Sequence, residues 1–194
     1  MNDFSQSYIQ HFKEVLDAFP HDQFGRFYQA LVEARKKDKH IFIMGNGGSG
    51  STASHWACDI NKGCCVNNGK RFKMISLADN IPTMLAYGND LTYEDIFLEQ
   101  LVNFFVPGDV VIGISGSGNS INVLKAIEFA NANGGITVGL CGYSGGKLLE
   151  MAQIPVHISV PDMQKVEDVH LMIGHMVMQR FLAEMNGLGQ TSAD

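Results

Sequence analysis

The stretch "IFIMGNGGSGSTASHWACDINKG" (residues 41–63) decides how this chain folds. It begins as a short apolar run of β type, passes through glycines, serines and an asparagine, and turns helical over about residues 51–61. A strand that feeds a helix through such small residues leaves the helix's first N–H groups without intrahelical partners. Glycine lets a ligand approach that backbone closely, so the loop suits an anion such as phosphate. Taken alone, the loop also reads as a tight turn that caps the next helix.

A second strand ends in the same way. "DVVIGIS" runs into "SGSGNS" (residues 115–120) and then into the helical "INVLKAIEFANANGG". Two such loops on one sheet favour an anion site. Ser49, Ser115, Ser117 and Ser120 are the candidate hydroxyls, with the backbone of Asn46, Gly47, Gly48 and Gly116 against the ligand. No Gly-Lys-Ser/Thr follows the glycines, so neither loop is a Walker motif. Neither forms a clean GxGxxG with an acidic residue after the next strand, which disfavours a dinucleotide.

Around these loops the chain alternates. The runs "HIFIMG", "FKMISLA", "DVVIGIS", "GITVGLCG" and "IPVHISV" are separated by helical candidates at 51–61, 93–105, 120–132 and 146–152, and a last helix covers 165–185. The runs are apolar nearly throughout, as strands are when helices cover both faces of a parallel sheet. The pattern specifies an α/β domain with a doubly wound parallel sheet, whose ligands sit beyond the carboxyl ends of the strands. Two amphipathic helices at 4–19 and 22–37 form an N-terminal helical extension, with Phe24, Phe27, Leu31 and Ala34 at helical spacing. The division is 1–37 for helices that pack on the domain or oligomer, 38–188 for the domain, and 189–194 for a frayed tail.

Composition removes several function classes. A net charge of -6 with no basic stripe argues against direct nucleic-acid binding, which needs clustered Lys and Arg. No apolar run reaches the length of a membrane span, and the opening "MNDFSQSYIQHF" is unlike a secretion signal. Cys58, Cys64, Cys65 and Cys141 make no CxxC pair, which points to a reduced cytoplasmic protein without structural zinc on thiolates.

Histidines and carboxylates supply the candidate chemistry. His55 and Asp59 are four residues apart and share a helical face. In "KVEDVHLMIGHMV", His175 lies about 80° round the helix from Glu167 and His170 about 60° the other way. Such groups either move protons near neutral pH or hold a zinc-like ion. His170 also reads as an ordinary core histidine, and Asp59 as a surface partner of Lys62. Met172, Met176 and Met178 read as core or oligomer interface. "GND" (residues 88–90) reads as a turn after a strand, with Asp90 open to a role in the site.

With "GNGGS", the His55 and Asp59 pair, "GISGSGNS" and the terminal Glu167 to His175 helix in hand, the chain closely resembles the SIS (sugar isomerase) domain family, and within it the phosphoheptose isomerases. The resemblance spans nearly the whole chain. It implies a five-stranded parallel sheet flanked by helices, a homotetramer with sites between subunits, and a divalent metal such as zinc. It also implies interconversion of sedoheptulose 7-phosphate and D-glycero-D-manno-heptose 7-phosphate. Ser49, Ser115, Ser117 and Ser120 fall where the family holds the phosphate, and Asp90 matches an aspartate near the sugar hydroxyls. Asp59 and His175 take the catalytic positions, and His55, Asp59, Glu167 and His175 take those of the metal set. Glu167 also counts among the substrate contacts.

The chain departs from the family at particular positions. Asp59 replaces a glutamate, Glu167 replaces a glutamine, and Gly63 stands where arginine is usual, with Lys62 beside it. Aspartate retracts the carboxylate by about 1.5 Å, one C–C bond. Misplacement on that scale costs about a hundredfold in rate. The alternative within the family is a non-catalytic phosphosugar-binding sensor, or a tetrameric adaptor like the relatives that bind the replication initiator DnaA. Those relatives lack the catalytic carboxylate, whereas this chain keeps one in shortened form.

Overall fold

The computed structural model describes residues 3–66 and 69–186. The expected tail at 189–194 lies outside them. Two helices lead, α1 (Phe4–Asp17) and α2 (His21–Lys36). Strands and helices then alternate as β1 (Ile41–Gly45), α3 (Gly47–Cys58), β2 (Met74–Ser76), α4 (Ile81–Asp90), α5 (Leu98–Val102), β3 (Val110–Ser115), α6 (Ile121–Ala132), β4 (Ile136–Gly142), α7 (Gly146–Met151), β5 (Ile154–Ile158) and α8 (Met163–Met185).

All five strands are parallel, in the order β2-β1-β3-β4-β5. In this order the chain leaves β1 and β3 toward opposite faces, and a crevice opens between their carboxyl ends. Gly45 at the end of β1 lies opposite Ile114 on β3, so the loops after the two strands meet there.

Alternate side chains of each strand feed two cores. Ile41, Ile43, Ile112, Leu140 and Val156 pack with buried residues of α2, α3 and α8. Phe42, Met44, Val111 and Cys141 pack on the other face with residues of α5, α6 and α7. The doubly wound reading of the sequence therefore holds. Helix α2 is part of the first core through Phe24, Phe27, Leu31 and Ala34, whereas α1 buries no residue.

Helix boundaries shift where glycine and proline carry special roles. Helix α3 starts at Gly47 rather than near Ser51, because Gly47 adopts a positive φ of 52° that a non-glycine residue avoids. Helix α4 has no counterpart in the periodicity reading. It is specified by the Asn80 side chain, which accepts from Thr83 N–H, and by proline in the first turn. "GND" therefore ends a helix and is not a turn after a strand. The segment expected to be one helix at 93–105 is a 3-10 turn (Tyr93–Asp95) followed by short α5.

One close approach joins the helices of the first core. Glycine at position 174 of α8 lies against Trp56 of α3, and a Cβ there would sit 2.1 Å from the indole Nε1. Trp56 is 1% exposed and stacks on Phe27 of α2, with ring centroids 5.8 Å apart. Its ring is boxed in and cannot rotate away. Gly174→Ala should therefore cost about 1–3 kcal/mol, the usual range for overpacking. Trp56 is the only tryptophan in the sequence, so urea unfolding followed by its fluorescence should show a lowered midpoint. An unchanged midpoint would contradict the tight α3–α8 packing.

Candidate active site

The site is assembled at the two ends of α3. At its N-terminus, Asn46 holds the N-cap position with extended φ and ψ, yet its side chain makes no cap bond. Asn46 and Asn122 of α6 exchange two hydrogen bonds instead. Asn46 Nδ2 donates to Asn122 Oδ1 at 2.9 Å, and Asn122 Nδ2 donates to Asn46 Oδ1 at 2.8 Å. Tyr93 O–H adds a third bond to Asn46 Oδ1 at 3.0 Å. This polar knot ties the first loop to the helix that follows the second.

The second loop is held by its own serines and by glycine geometry. Ser115 and Ser120 place their hydroxyl oxygens 3.0 Å apart. Ser117 Oγ accepts from Asn119 N–H at 3.3 Å, and Gly118 takes a positive φ of 67°. A Cβ on Gly118 would lie 1.8 Å from the Gly145 carbonyl oxygen, so that position admits only glycine. Ser120 is the N-cap residue of α6 but makes no side-chain cap bond. Both helices thus present uncapped N-termini to one crevice, the arrangement that binds phosphate without net positive charge. Ser117 is exposed, Ser120 half-buried, and Ser49 and Ser115 buried beneath the loops.

At the other end of α3, His55, Asp59 and His175 converge. The Nε2 atoms of the two imidazoles are 3.0 Å apart. Asp59 Oδ2 lies 3.2 Å from Nε2 of His55 and 3.7 Å from that of His175. Asp59 opens a π-helical turn (Asp59–Gly63) in which α3 ends, a feature that recurs at functional sites. The carboxylate faces the imidazoles and not Lys62. Gly63 packs under α8, where a Cβ would lie 2.6 Å from Met178 Sδ.

These donor atoms suit a metal ion. Among the described residues, one potential ligand atom from each of His55, Asp59 and His175 lies within 4.8 Å of the others. A tetrahedral zinc with bonds of about 2.05 Å spaces its donors about 3.3 Å apart, close to the distances found here. Two nitrogens and one carboxylate oxygen with an open fourth position is a catalytic rather than a structural pattern. Glu167 is outside this group. Its carboxylate lies against the first loop, with Oε1 2.9 Å from where a Cβ on Gly48 would be. That places it beside the N-terminus of α3.

Two other sequence candidates lie apart. Asp90 is exposed at the end of α4 and accepts from Asn89 Nδ2 at 2.8 Å. His170 is 1% exposed in the first core's helix, and burial pushes its pKa down to about 4, so it stays neutral and takes no part in the site. A cavity of about 800 Å³ opens on the α4 side of α3, bordered by Asn46, Ser54, Leu85 and Tyr93. It is separate from the imidazole cluster. Asn122 and Tyr93 carried no signal in the sequence, because an asparagine inside a helix and a lone tyrosine in a turn are both common.

Comparison with known proteins agrees with the fold. Residues 7–142 match the SIS domain. The chain is 38% identical over 149 residues to a phosphoheptose isomerase of Trichlorobacter lovleyi, covering 77% of this chain and 76% of the relative. It is 33% identical over 187 residues to a phosphoheptose isomerase of Geobacter metallireducens, covering 91% and 95%. The solved structure of a phosphoheptose isomerase from Francisella tularensis superimposes with a TM-score of 0.83 at 25% identity, covering 92% of this chain and 94% of that one.

The metal geometry is directly testable. Cobalt(II) added to the metal-free protein should give the visible absorption of a four-coordinate ion, and His175→Ala should lose most of it. Equal cobalt binding by His175→Ala and wild type would remove His175 from the ligand set.

Proposed function

The chain belongs to the SIS domain family, among the phosphoheptose isomerases, and we propose that it interconverts sedoheptulose 7-phosphate and D-glycero-D-manno-heptose 7-phosphate. The observation that carries this reading is the meeting of a carboxylate and two imidazoles at one end of a helix whose other end opens on the paired serine and glycine loops. His55 lies two turns, about 12 Å, along α3 from Gly47. Helical side chains lean toward the N-terminus, which shortens the gap. An extended seven-carbon sugar with a terminal phosphate spans about 10 Å, taking eight bonds that each advance somewhat less than a C–C bond length. A long sugar phosphate thus matches the span.

The chemistry is proton transfer between adjacent carbons. With the phosphate on Ser115, Ser117, Ser120 and the α6 backbone, C1 and C2 lie toward Asp59. The Asp59 carboxylate takes the proton from C1 of the ketose, leaving an enediol, and returns it to C2 to form the aldose. The His175 imidazole passes the hydroxyl proton from O1 to O2, since one ring nitrogen can accept a proton while the other donates. Asn46, Gly47, Gly48, Ser49 and Glu167 hold the sugar hydroxyls, and Asp90 joins them when subunits assemble. A divalent ion, zinc by its donor set, would be held by His55, Asp59 and His175, and when bound would polarise the two oxygens.

We further propose a homotetramer in the cytoplasm. Supporting it, α1 buries no residue although Phe4 is 81% exposed, and Ile81, Leu85, Phe104 and Ile121 are also more than half exposed. Among the described residues, no helix is long and apolar enough to cross a membrane. Light scattering at micromolar protein should report the tetramer, and a monomer would contradict it.

Turnover separates an enzyme from a sensor. Asp59→Asn should abolish conversion of sedoheptulose 7-phosphate, read by NMR, while sparing phosphate binding. Ser117→Ala should weaken binding by about 1.5–3 kcal/mol, the range for a hydrogen bond to a charged group. Asp59→Glu should retain or raise activity by lengthening the reach. Wild-type speed in Asp59→Asn would sink the mechanism. Tight binding with no turnover by wild type would favour the sensor.

A further inference from the structure

Asn46 has the residue type and the backbone conformation of an N-cap, and it does not cap. Asparagine is among the best N-caps because its side-chain oxygen accepts from the second or third N–H of the helix. Here both ends of its amide are used across the crevice. Nδ2 is bonded to Asn122, and Oδ1 is bonded to Asn122 and Tyr93. Asn122 is 2% exposed and its Oδ1 also accepts from Val123 N–H at 3.0 Å, so its orientation is fixed by its own helix. The Tyr93 turn is anchored in turn by Lys125 of α6, which bonds Asp95 at 2.8 Å and Glu94 at 3.2 Å.

We propose that Asn122 is a positioning residue which holds the Asn46 side chain away from α3, leaving the N–H groups of Gly48 and Ser49 open to the sugar phosphate. The inference rests on the site proposed above and adds the device that keeps it open. An uncapped helix end is unfavourable in the empty protein. The paired amide offsets that by satisfying Asn46 elsewhere, and two part-buried hydrogen bonds outweigh the single cap bond that would compete. Asn122 touches no ligand and acts through Asn46 alone.

The expectation is specific. In Asn122→Ala both amide bonds disappear, and Asn46 swings back to cap α3. NMR of the ligand-free variant should show the amide of Gly48 or Ser49 newly protected from hydrogen exchange. Calorimetry should show affinity for sedoheptulose 7-phosphate reduced about tenfold, equal to about 1.4 kcal/mol. KM should rise while kcat stays within about twofold, because Asp59 and His175 are untouched. The double variant Asn46→Gly/Asn122→Ala cannot cap and should recover the wild-type exchange of its Gly48 and Ser49 amides. Should Asn122→Ala fail to fold, Tyr93→Phe on its exposed ring decides, with a smaller loss in the same direction.

Unprotected Gly48 and Ser49 amides in Asn122→Ala would overturn the proposal whether or not the protein is an isomerase. Protection without loss of affinity would overturn it too, as would failure of the double variant to recover. Absence of any phosphosugar binding by wild type would instead defeat the proposed function, and the exchange experiment would still decide what Asn122 does.

Discussion

The approach of Trp56 to Gly174 is the contact on which the rest depends. A side chain at position 174 would force α3 and α8 apart by the width of a methyl group, because the indole is fixed against Phe27. With the helices in contact, His55 on one and His175 on the other bring their Nε2 atoms to 3.0 Å. Neighbouring residues do both jobs, Trp56 beside His55 and Gly174 beside His175. The packing that stabilises the domain is thereby the packing that assembles its chemistry, and interiors this dense transmit small displacements.

Helix α3 also organises the electrostatics. Its aligned peptides place partial positive charge at Gly47 and partial negative charge near Cys58. The positive end faces the serine loops, where an anion is wanted. The negative end carries His55, Asp59 and the approach of His175, where a cation is favoured. A chain with net charge -6 can hold a phosphate because the field is local. Cations nearby are otherwise engaged, as Lys125 is with Asp95 and Glu94.

The positions at which the sequence is expected to depart from the family fall on this same axis. Glu167 lies over Gly48 at the positive end of α3, where a carboxylate is stabilised by the dipole. Asp59 shortens the acid at the negative end but sits at the start of a π-helical turn, which changes the path of the backbone just where the carboxylate must reach the imidazoles. Glycine at position 63 lets that turn lie under Met178, a space a larger residue could enter only by displacing the Met178 side chain.

The sequence by itself determined the sheet and the layers. Apolar strands alternating with helices can be buried in few ways, and loops of glycine and serine at two strand ends mark where backbone donors stay open. The pairing of His55 with Asp59 was likewise legible, since four residues on a helix share a face. Tertiary structure alone decided the rest. His175 reaches that pair only through the α3–α8 crossing at Gly174, a contact between residues 118 positions apart that no periodicity encodes. The segregation of Glu167 from His175 depends on how far α8 extends past the first loop. Helix α4 is specified by its Asn80 cap and first-turn proline, and buries no residue whose spacing would mark it. The knot of Asn46, Asn122 and Tyr93 is invisible in the chain because Asn122 and Tyr93 are unremarkable in their own segments, and its meaning arises when the crevice between β1 and β3 brings the three amide and phenol groups within hydrogen-bonding distance.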